Sequence, residues 1–539
     1  MMKLRFTPLA ALAGAFLFAT AGSRAQTADI PPVDDPPAEI PATTDDEVEP
    51  AADGEIPPPI ADAKPADADL TRSVVRLRST TQGWNPGQPW EKADPQQRRA
   101  LAAIVAPGRV LTTAEMVADA TFLGFESADG TRFAEARVVA VDYEANLALL
   151  APADDAGEAL FDGTEPLELA EPPALGDPLD VLQVEETGLP LVTSGFLQRI
   201  GVSSTFIPGQ SFLTFYIKAS MQSSAGSFSL PVLSDNRLAG MVFSYNSREQ
   251  VIDSAATEII ARFLDAAATA EADGTPYQGF PGLGVVIART EDPAFRAWLN
   301  LEDDQGGVYL GTIRPGSAAE AAGLKQGDVI LAVDGKEIDR RGFYQHPIYG
   351  GLFWGHLVRG DKAVGEQVTL SVLRDGEPLE ITATLTREEE ADRLVPNYRF
   401  EEAPNFLVKG GMVFQELSRP LLEAFGREWR QRAPLNLLDA YENPERYEDD
   451  VRRIVFLSGT IPTNATIGYE SLRNLIVRRV NGREILDIPS LIAAFDEHDG
   501  PLHSIEFADE DFTIHLDEEV STQVDAELLQ RGLPKLSHP

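Results

Sequence analysis

Hydrophobic residues between positions 70 and 245 fall in short runs separated by Gly, Pro, Asp and Asn. The runs are rich in Val, Ile, Leu and Phe, and many short runs at such spacing are typical of a β-barrel or a β-sandwich. A single helix, Ser254 to Ala268, is predicted to close this region. The runs are LTRSVVRLRST (70–80), AIVAPGRVLTT (103–113), FAEARVVAVDYEANLALL (133–150), LDVLQVE (179–185), FLTFYIKAS (212–220) and RLAGMVFSY (237–245).

Two later segments, residues 277–388 and 404–539, share a pattern with each other. ILAVDGKEID (330–339) in the first returns as VRRVNGREIL (477–486) in the second. In each, a strand meets an Asp-Gly or Asn-Gly turn and resumes beyond it, which is a β-hairpin signal. The setting of the turn also matches, so we interpret the two segments as diverged copies of one domain.

The first 69 residues differ from the rest of the chain. Lys3 and Arg5 precede an apolar run from Leu9 to Ala19, and small residues follow as far as Ala25. This pattern predicts a secretory signal peptide, because the run is shorter than the roughly 20 residues that span a bilayer. Pro, Ala, Asp and Glu dominate the next segment, which predicts disorder. We expect a signal peptide (1–25), a linker (26–69), a β domain (70–268) and two related domains (277–388 and 404–539).

Composition narrows the possible classes of function. The formal net charge of −40, without a basic stripe, argues against a nucleic-acid partner. The chain has no cysteine, which excludes disulfides and a thiolate nucleophile. No metal-ligand cluster, phosphate-binding loop or cofactor motif is recognisable. We expect an exported protein, periplasmic or extracellular, that needs no cofactor or metal and has no stable membrane insertion.

The first of the two related domains carries a candidate binding loop. PGLGVVIA (281–288) is followed by GGVYLGTIRPGSAAEAAGLKQGDVILAVDGKEI (306–338). This order of motifs resembles a PDZ domain of the Deg/HtrA protease family. The resemblance implies a glycine loop that binds a terminal carboxylate and a strand that accepts an extended peptide; the alternative is a tight turn in a packing domain. The implied peptide-binding residues are Gly282, Leu283, Gly284, Val285, Val286, His356 and Leu357, the last two from the helical stretch FWGHLV (353–358).

The second related domain resembles the second PDZ-like domain of the plant-type Deg branch. Gly410-Gly411-Met412-Val413 stands where a carboxylate-binding loop would be, but the Gly-Leu-Gly pattern is missing. A long insertion, Ser418 to Arg453, follows. A structural or oligomerisation role is therefore at least as well supported as ligand binding.

The same resemblance implies that residues 70–268 form a trypsin-type double β-barrel, so the expected fold is mainly β with two α+β PDZ-like domains after it. Three stretches match the family's catalytic motifs. Glu115 follows Leu111-Thr112-Thr113-Ala114 in place of the histidine, and Asn146 stands before Leu147-Ala148-Leu149-Leu150 in place of the aspartate. Phe228, in Gly226-Ser227-Phe228-Ser229-Leu230-Pro231, takes the place of the nucleophilic serine. We expect all three positions to be inactive.

The histidines give a test that does not depend on this alignment. They lie at positions 346, 356, 498, 503, 515 and 538, all beyond residue 268. A serine hydroxyl needs a base to remove its proton and to protonate the leaving amine. Placing Ser227 or Ser229 at the nucleophile position by a shift of register supplies no histidine. The alternatives are Glu115 as a base with a raised pKa, or Lys218 with Ser223 or Ser224; we interpret Glu115 as a surface carboxylate.

The resemblance therefore predicts a Deg/HtrA-like pseudoprotease that binds polypeptide C-termini or unfolded segments, as a scaffold, a chaperone or a regulator. It also implies a homo-oligomer, a trimer or higher assembly. Two alternatives stay open. One is an active serine endopeptidase of envelope protein quality control with rearranged catalytic residues, and the other is a structural envelope protein without peptide binding.

Overall fold

The computed structural model describes residues 70–185, 188–221, 229–447, 451–508 and 510–539. The predicted signal peptide and linker lie outside the described residues, and so do Gly226, Ser227 and Phe228. In these described ranges no helix is both long enough and apolar enough to cross a lipid bilayer.

Residues 74–158 form the first barrel. Its elements are β1 (Val74–Thr81), β2 (Trp84–Asn85), β3 (Gln88–Lys92), β4 (Gln96–Ala106), β5 (Arg109–Thr112), β6 (Ala120–Glu126), β7 (Phe133–Asp142), β8 (Leu147–Pro152) and α1 (Asp155–Glu158). Six strands close in the order β1-β4-β5-β8-β7-β6, and β2 pairs with β3 in a separate hairpin. Apolar side chains such as Leu77, Ile104 and Phe125 fill the interior. The alternating strands of the sequence thus close around one apolar core.

Residues 178–273 form the second barrel and a helix. The elements are β9 (Pro178–Val184), β10 (Pro190–Ser204), β11 (Ser211–Lys218), β12 (Leu230–Ser234), β13 (Arg237–Asn246), β14 (Val251–Ala256) and α2 (Thr257–Asp273). The strands close in the order β10-β11-β14-β13-β12-β9. The helix begins later than predicted, because Ser254 to Ala256 pair with β13 as part of β14. It ends at Gly274, whose φ of 64° suits a helix C-terminus.

The first α+β unit follows. Its elements are β15 (Val285–Arg289), α3 (Pro293–Trp298), β16 (Val308–Ile313), α4 (Ala318–Ala321), β17 (Val329–Val333), β18 (Lys336–Glu337), β19 (Phe343–His346), β20 (Gly350–Phe353), α5 (His356–Arg359), β21 (Gln367–Arg374) and β22 (Glu377–Thr384). The main sheet runs β15-β16-β17-β21-β22, so β15 lies at its edge among the described strands.

The second α+β unit has a larger sheet. Its elements are β23 (Phe406–Lys409), β24 (Met412–Glu416), α6 (Arg419–Glu423), α7 (Trp429–Arg432), α8 (Leu435–Glu442), β25 (Val455–Thr460), β26 (Leu475–Val480), β27 (Arg483–Glu484), α9 (Ile488–Asp496), β28 (Leu502–Phe507), β29 (Thr513–Asp517), α10 (Glu518–Gln530) and β30 (Ser537–His538). The strand order is β29-β28-β26-β25-β24-β23-β30.

The repeated sequence pattern forms the same hairpin in both units. Asp334 and Gly335 turn β17 into β18 with φ angles of 46° and 73°, and Asn481 and Gly482 turn β26 into β27 with 52° and 77°. Positive φ at both central residues is the mark of the tight turn that Asp-Gly and Asn-Gly favour. The predicted mainly β fold, two barrels followed by two α+β units, is confirmed. The domain boundaries stay predictions.

Candidate functional site

Two of the three positions that match catalytic motifs lie side by side in the first barrel. Glu115 lies in a 3-10 turn (Ala114–Met116) directly after β5, and Asn146 directly precedes β8. The backbone N–H of Glu115 donates to Oδ1 of Asn146 over 3.1 Å. Asn146 is buried, so its amide holds the turn in place. The third position, Phe228, lies outside the described residues.

The carboxyl group of Glu115 is not the surface group that the sequence suggested. Its Oε1 atom is buried and accepts no hydrogen bond from any residue that the structure describes. Burial raises the pKa of Glu115 to about 7, although the nearby charge of Arg98 acts in the opposite direction. The side chain of Glu115 is half-buried in the turn after β5, so its carboxyl group is less exposed than the sequence interpretation expected.

Ser229 does not supply an accessible hydroxyl. Its side chain is fully buried, and its Oγ accepts a hydrogen bond from Oγ1 of Thr112 over 3.3 Å. Its carbonyl oxygen accepts from the backbone N–H of Leu101 over 3.0 Å. Ser229 thus joins the second barrel to the first. Lys218, the other sequence candidate, donates to the carbonyl of Glu249 over 2.5 Å.

A segment of the chain between the two α+β units packs against Tyr143 and Asp119, which lie near Asn146 and Glu115 in the sequence. The ring of Phe400 lies 4.5 Å from the ring of Tyr143, three residues before Asn146, and stacks on Phe206 at 5.4 Å. The Tyr143 hydroxyl donates to Glu401 over 3.0 Å, and the Glu401 N–H donates to Asp119 over 2.8 Å. Sequence reasoning missed this contact, whose only signal was the aromatic pair in Asn-Tyr-Arg-Phe (397–400).

The glycine loop of the first α+β unit is held by backbone hydrogen bonds. The Gly282 N–H donates to the carbonyl of Thr386 over 2.8 Å, and the carbonyl of Gly284 accepts from the N–H of Arg314 over 2.9 Å. Gly284 has a φ of 78°, and a Cβ atom there would lie 2.2 Å from the Cβ of Ser317. Only glycine meets both conditions without strain.

A cavity of about 440 Å³ opens in front of this loop. Five of the seven predicted peptide-binding residues line it, namely Gly282, Leu283, Gly284, Val285 and Val286. The other two, His356 and Leu357, are buried in the core of the unit and are not among the lining residues. His356 instead faces Asp361 at 3.5 Å, and burial lowers its pKa to about 4. The next two residues of the same helix, Val358 and Arg359, line the cavity instead.

The second barrel and the first barrel complete the cavity wall, which the sequence did not predict. Arg359 forms an ion pair with Glu144 and a hydrogen bond with Gln210, and its guanidinium lies 4.7 Å from the centre of the Phe212 ring. Burial raises the pKa of Glu144, and the charge of Arg359 opposes that shift. The groove is therefore bounded by the α+β unit on one side and by the barrels on the other.

In the second α+β unit, the strand that follows the glycine pair, β24, lies inside the sheet. Strand β24 pairs with β25 on one side and with β23 on the other, through Leu407 opposite Phe414 and Val408 opposite Val413. Leu407 is buried in the same apolar cluster as Leu491 and Phe495 of α9. The segment Phe406–Lys409 thus lies between strand β24 and helix α9.

Comparison with known proteins identifies the two α+β units as PDZ domains. A PDZ domain model matches residues 281–385, and a second PDZ domain model matches residues 395–533. Protease Do-like 2, chloroplastic, of Arabidopsis thaliana is 27% identical over 445 residues, which is 80% of this chain and 69% of that protein. The putative protease Do-like 3, mitochondrial, of the same plant is 24% identical over 427 residues, 79% of this chain and 72% of that protein.

This chain contains two PDZ domains and is similar over about 80% of its length to proteases of the Deg/HtrA type. The first and second α+β units are its first and second PDZ domains. Among solved structures, the HtrA-type protease AlgW with a decapeptide is 18% identical, with a TM-score of 0.44, and the match covers 59% of this chain and 98% of that one.

Within the described ranges, no group of three or more His, Asp or Glu residues is arranged to hold a metal ion. The candidate functional site has two parts: the Glu115–Asn146 region of the barrels and the groove of the first PDZ domain.

Proposed function

We propose that this chain is a pseudoprotease whose first PDZ domain binds extended polypeptide, as C-termini or as unfolded segments. The observation that carries the proposal is the edge strand β15 beside the glycine loop and the 440 Å³ cavity. An extended peptide can add to such an edge through main-chain hydrogen bonds. Leu283 and Val285 line the cavity and offer apolar contact for its side chains. Such binding suits a scaffold, a chaperone or a regulator of active relatives.

The proposal assigns no cleavage to the barrels. The residues at the positions of the histidine and the aspartate are Glu115 and Asn146, and the described hydroxyl of Ser229 is buried. The aromatic segment around Phe400 packs against Tyr143, three residues before Asn146. Export to the periplasm or the cell exterior, and assembly into trimers or larger homo-oligomers, belong to the same proposal and rest on the signal-peptide pattern and the family resemblance.

A second candidate, a serine endopeptidase with rearranged residues, is favoured by one observation. The pKa of Glu115, raised to about 7 by burial, suits a general base at neutral pH. The hydroxyl that it would serve would come from residues 222–228, since Ser229 is bonded to Thr112.

Incubation of the purified chain with casein distinguishes the two functions. We expect no new N-termini by mass spectrometry. Cleavage that disappears in Ser227→Ala or in Glu115→Gln would overturn the pseudoprotease proposal.

Peptide binding is tested on an array that carries both free C-termini and internal segments. We expect binding by the wild-type chain and its loss in Gly284→Trp, whose side chain would fill the loop. A structural envelope protein with an empty groove predicts no binding and no effect of this substitution, and that result would overturn the proposal.

A further inference from the structure

The carboxylate of Glu388 lies against the glycine loop of the first PDZ domain. Its Oε1 atom lies 2.9 Å from the place that a Cβ on Gly284 would occupy, and 3.9 Å from the corresponding place on Gly282. Glu388 is also one of the residues that line the cavity. The chain itself therefore places a negative charge at the end of the groove where a peptide's C-terminal carboxylate would be received.

The position of Glu388 is determined on both sides. Two residues earlier, the carbonyl of Thr386 accepts the N–H of Gly282, which ties the backbone to the loop. At the other end, Oε2 of Glu388 forms an ion pair with Arg314 and another with Arg393 at 3.1 Å. The Glu388 side chain is only 22% exposed. Because both anchors act together, the carboxylate is held rather than free to swing into solvent.

The arginines around the groove are already paired with carboxylates of this chain, so none of them is free to receive the terminal carboxylate of a peptide. Arg393 pairs with Glu390 at 2.6 Å in addition to Glu388, so two arginines face two carboxylates at this end. Arg359 at the other wall pairs with Glu144. Every cation among the described lining residues thus has a carboxylate partner from this chain.

We infer that the first PDZ groove takes internal, unfolded segments of polypeptide in preference to free C-termini, and that Glu388 sets this preference. This inference rests on the proposed peptide binding and selects between its two ligand classes. A terminal carboxylate would meet the fixed carboxylate of Glu388 and no unpaired cation among the described lining residues, so its partial burial would lack a compensating charge. An internal segment or an amidated end adds to β15 through the same main-chain hydrogen bonds without that cost. The formal net charge of −40 acts in the same direction and favours neutral or basic segments.

The test uses decapeptides that tile casein, each synthesised with a free C-terminal carboxylate and again as the C-terminal amide. The full-length chain is titrated against both forms by fluorescence anisotropy. We expect the wild type to bind the amides at least as tightly as the acids. In Glu388→Gln we expect the acids to gain tenfold or more while the amides change little.

Glu389→Gln is the matched control, since Glu389 is the next residue, is 61% exposed and is not among the residues that line the groove. It removes the same charge and should leave the ratio of acid to amide affinity unchanged. Acids that bind the wild type tenfold tighter than amides would overturn this inference and leave the proposed function standing. Absence of binding by either form would overturn the proposed function itself. The wild-type comparison needs no variant, so the inference stays testable even if Glu388→Gln does not fold.

Discussion

The two PDZ domains share a fold and differ in what lies along one strand. In the first, β15 is the edge of its sheet among the described strands, and a cavity separates it from α5. In the second, the corresponding strand β24 is covered by β23, whose Leu407 enters the core against α9. The place that a ligand would take in one domain is therefore filled by the chain itself in the other. A repeated domain can keep its architecture while one copy converts a binding edge into core.

The glycines that precede each strand explain the difference. Gly410 and Gly411 have φ angles of 60° and 97°, which reverse the chain so that β23 returns along β24 as a hairpin. Of the two loop glycines in the first domain, Gly284 has a positive φ and Gly282 does not, and Gly282 forms a bridge with Thr386. The sequence Gly-Gly thus builds an internal strand, whereas Gly-Leu-Gly leaves an edge.

The largest effect is expected for the strand that fills the second domain. Leu407→Ala should lower the free energy of unfolding by about 2–5 kcal/mol, because it leaves a cavity between β24 and α9. Val286→Ala, on the half-exposed face of β15, should change it by less than about 0.5 kcal/mol. Urea unfolding measures both. If both substitutions changed the free energy of unfolding by an equal, small amount, β23 would not be part of the core, and the proposed difference between the two domains would be wrong.

Acid should affect the two domains in different pH ranges. The pKa of His356 in the first domain is lowered to about 4 by burial, so between pH 6.5 and 4 the unfolded chain binds a proton that the folded chain does not. Stability should therefore fall as the pH falls through this range, by up to about 3 kcal/mol. Urea unfolding at pH 7, 5.5 and 4 measures the loss, and His356→Gln should flatten it.

The lowered pKa of Glu518 makes the stability of the second domain depend on pH in a lower range. Burial would raise its pKa, but hydrogen bonds from His503, Lys409 and Thr522 outweigh burial and lower it to about 2. Its contribution is present above about pH 4.5 and is lost as the pH falls toward 2. Glu518→Gln should remove this dependence and leave the loss between pH 6.5 and 4 unchanged. If the His356→Gln and Glu518→Gln variants lost stability over the same pH range, the two domains would not respond to acid separately.

Substitution of the loop glycine should affect binding in the first domain. Gly284→Ala combines a positive φ with a close approach to Ser317, so we expect peptide affinity to fall at least tenfold. Gly316→Ala is the control, because its φ is 73° but no atom lies within 4 Å of the added Cβ. Calorimetric titration with a casein peptide measures both variants. Equal loss of binding in both variants would point to general backbone strain rather than to the loop.

The smallest effect is expected for the C-terminal strand. Removal of residues 536–539 breaks the pairing of β30 with β23, including the hydrogen bond from the Val408 N–H to the Leu536 carbonyl, 2.7 Å long. The cost should be about 1 kcal/mol, in line with a few edge hydrogen bonds. Hydrogen exchange should speed up in Phe406–Lys409 and stay unchanged in β15. Faster hydrogen exchange in both strands would show that the effect of the truncation is not confined to the second domain.

The candidate site was predictable where local motifs define it. The Gly282–Val286 loop and the Asp334-Gly335 and Asn481-Gly482 turns follow from residue types at fixed spacing, and the structure places them where those types are needed. His356 and Leu357 were assigned to the groove from a helical stretch, but a four-residue helix has a face that sequence alone does not orient. Val358 and Arg359 line the cavity instead.

The sequence by itself determined the mainly β architecture, the repeat and the absence of histidine from the barrels, because strand runs, turn residues and residue counts are local properties. The tertiary structure alone decided which groups are buried and which meet. The pKa of Glu115, the cover formed by Phe400 over Tyr143 and the contact of Glu388 with Gly284 all depend on residues far apart in the chain. Burial and electrostatics arise from this packing, so no pattern of neighbouring residues encodes them.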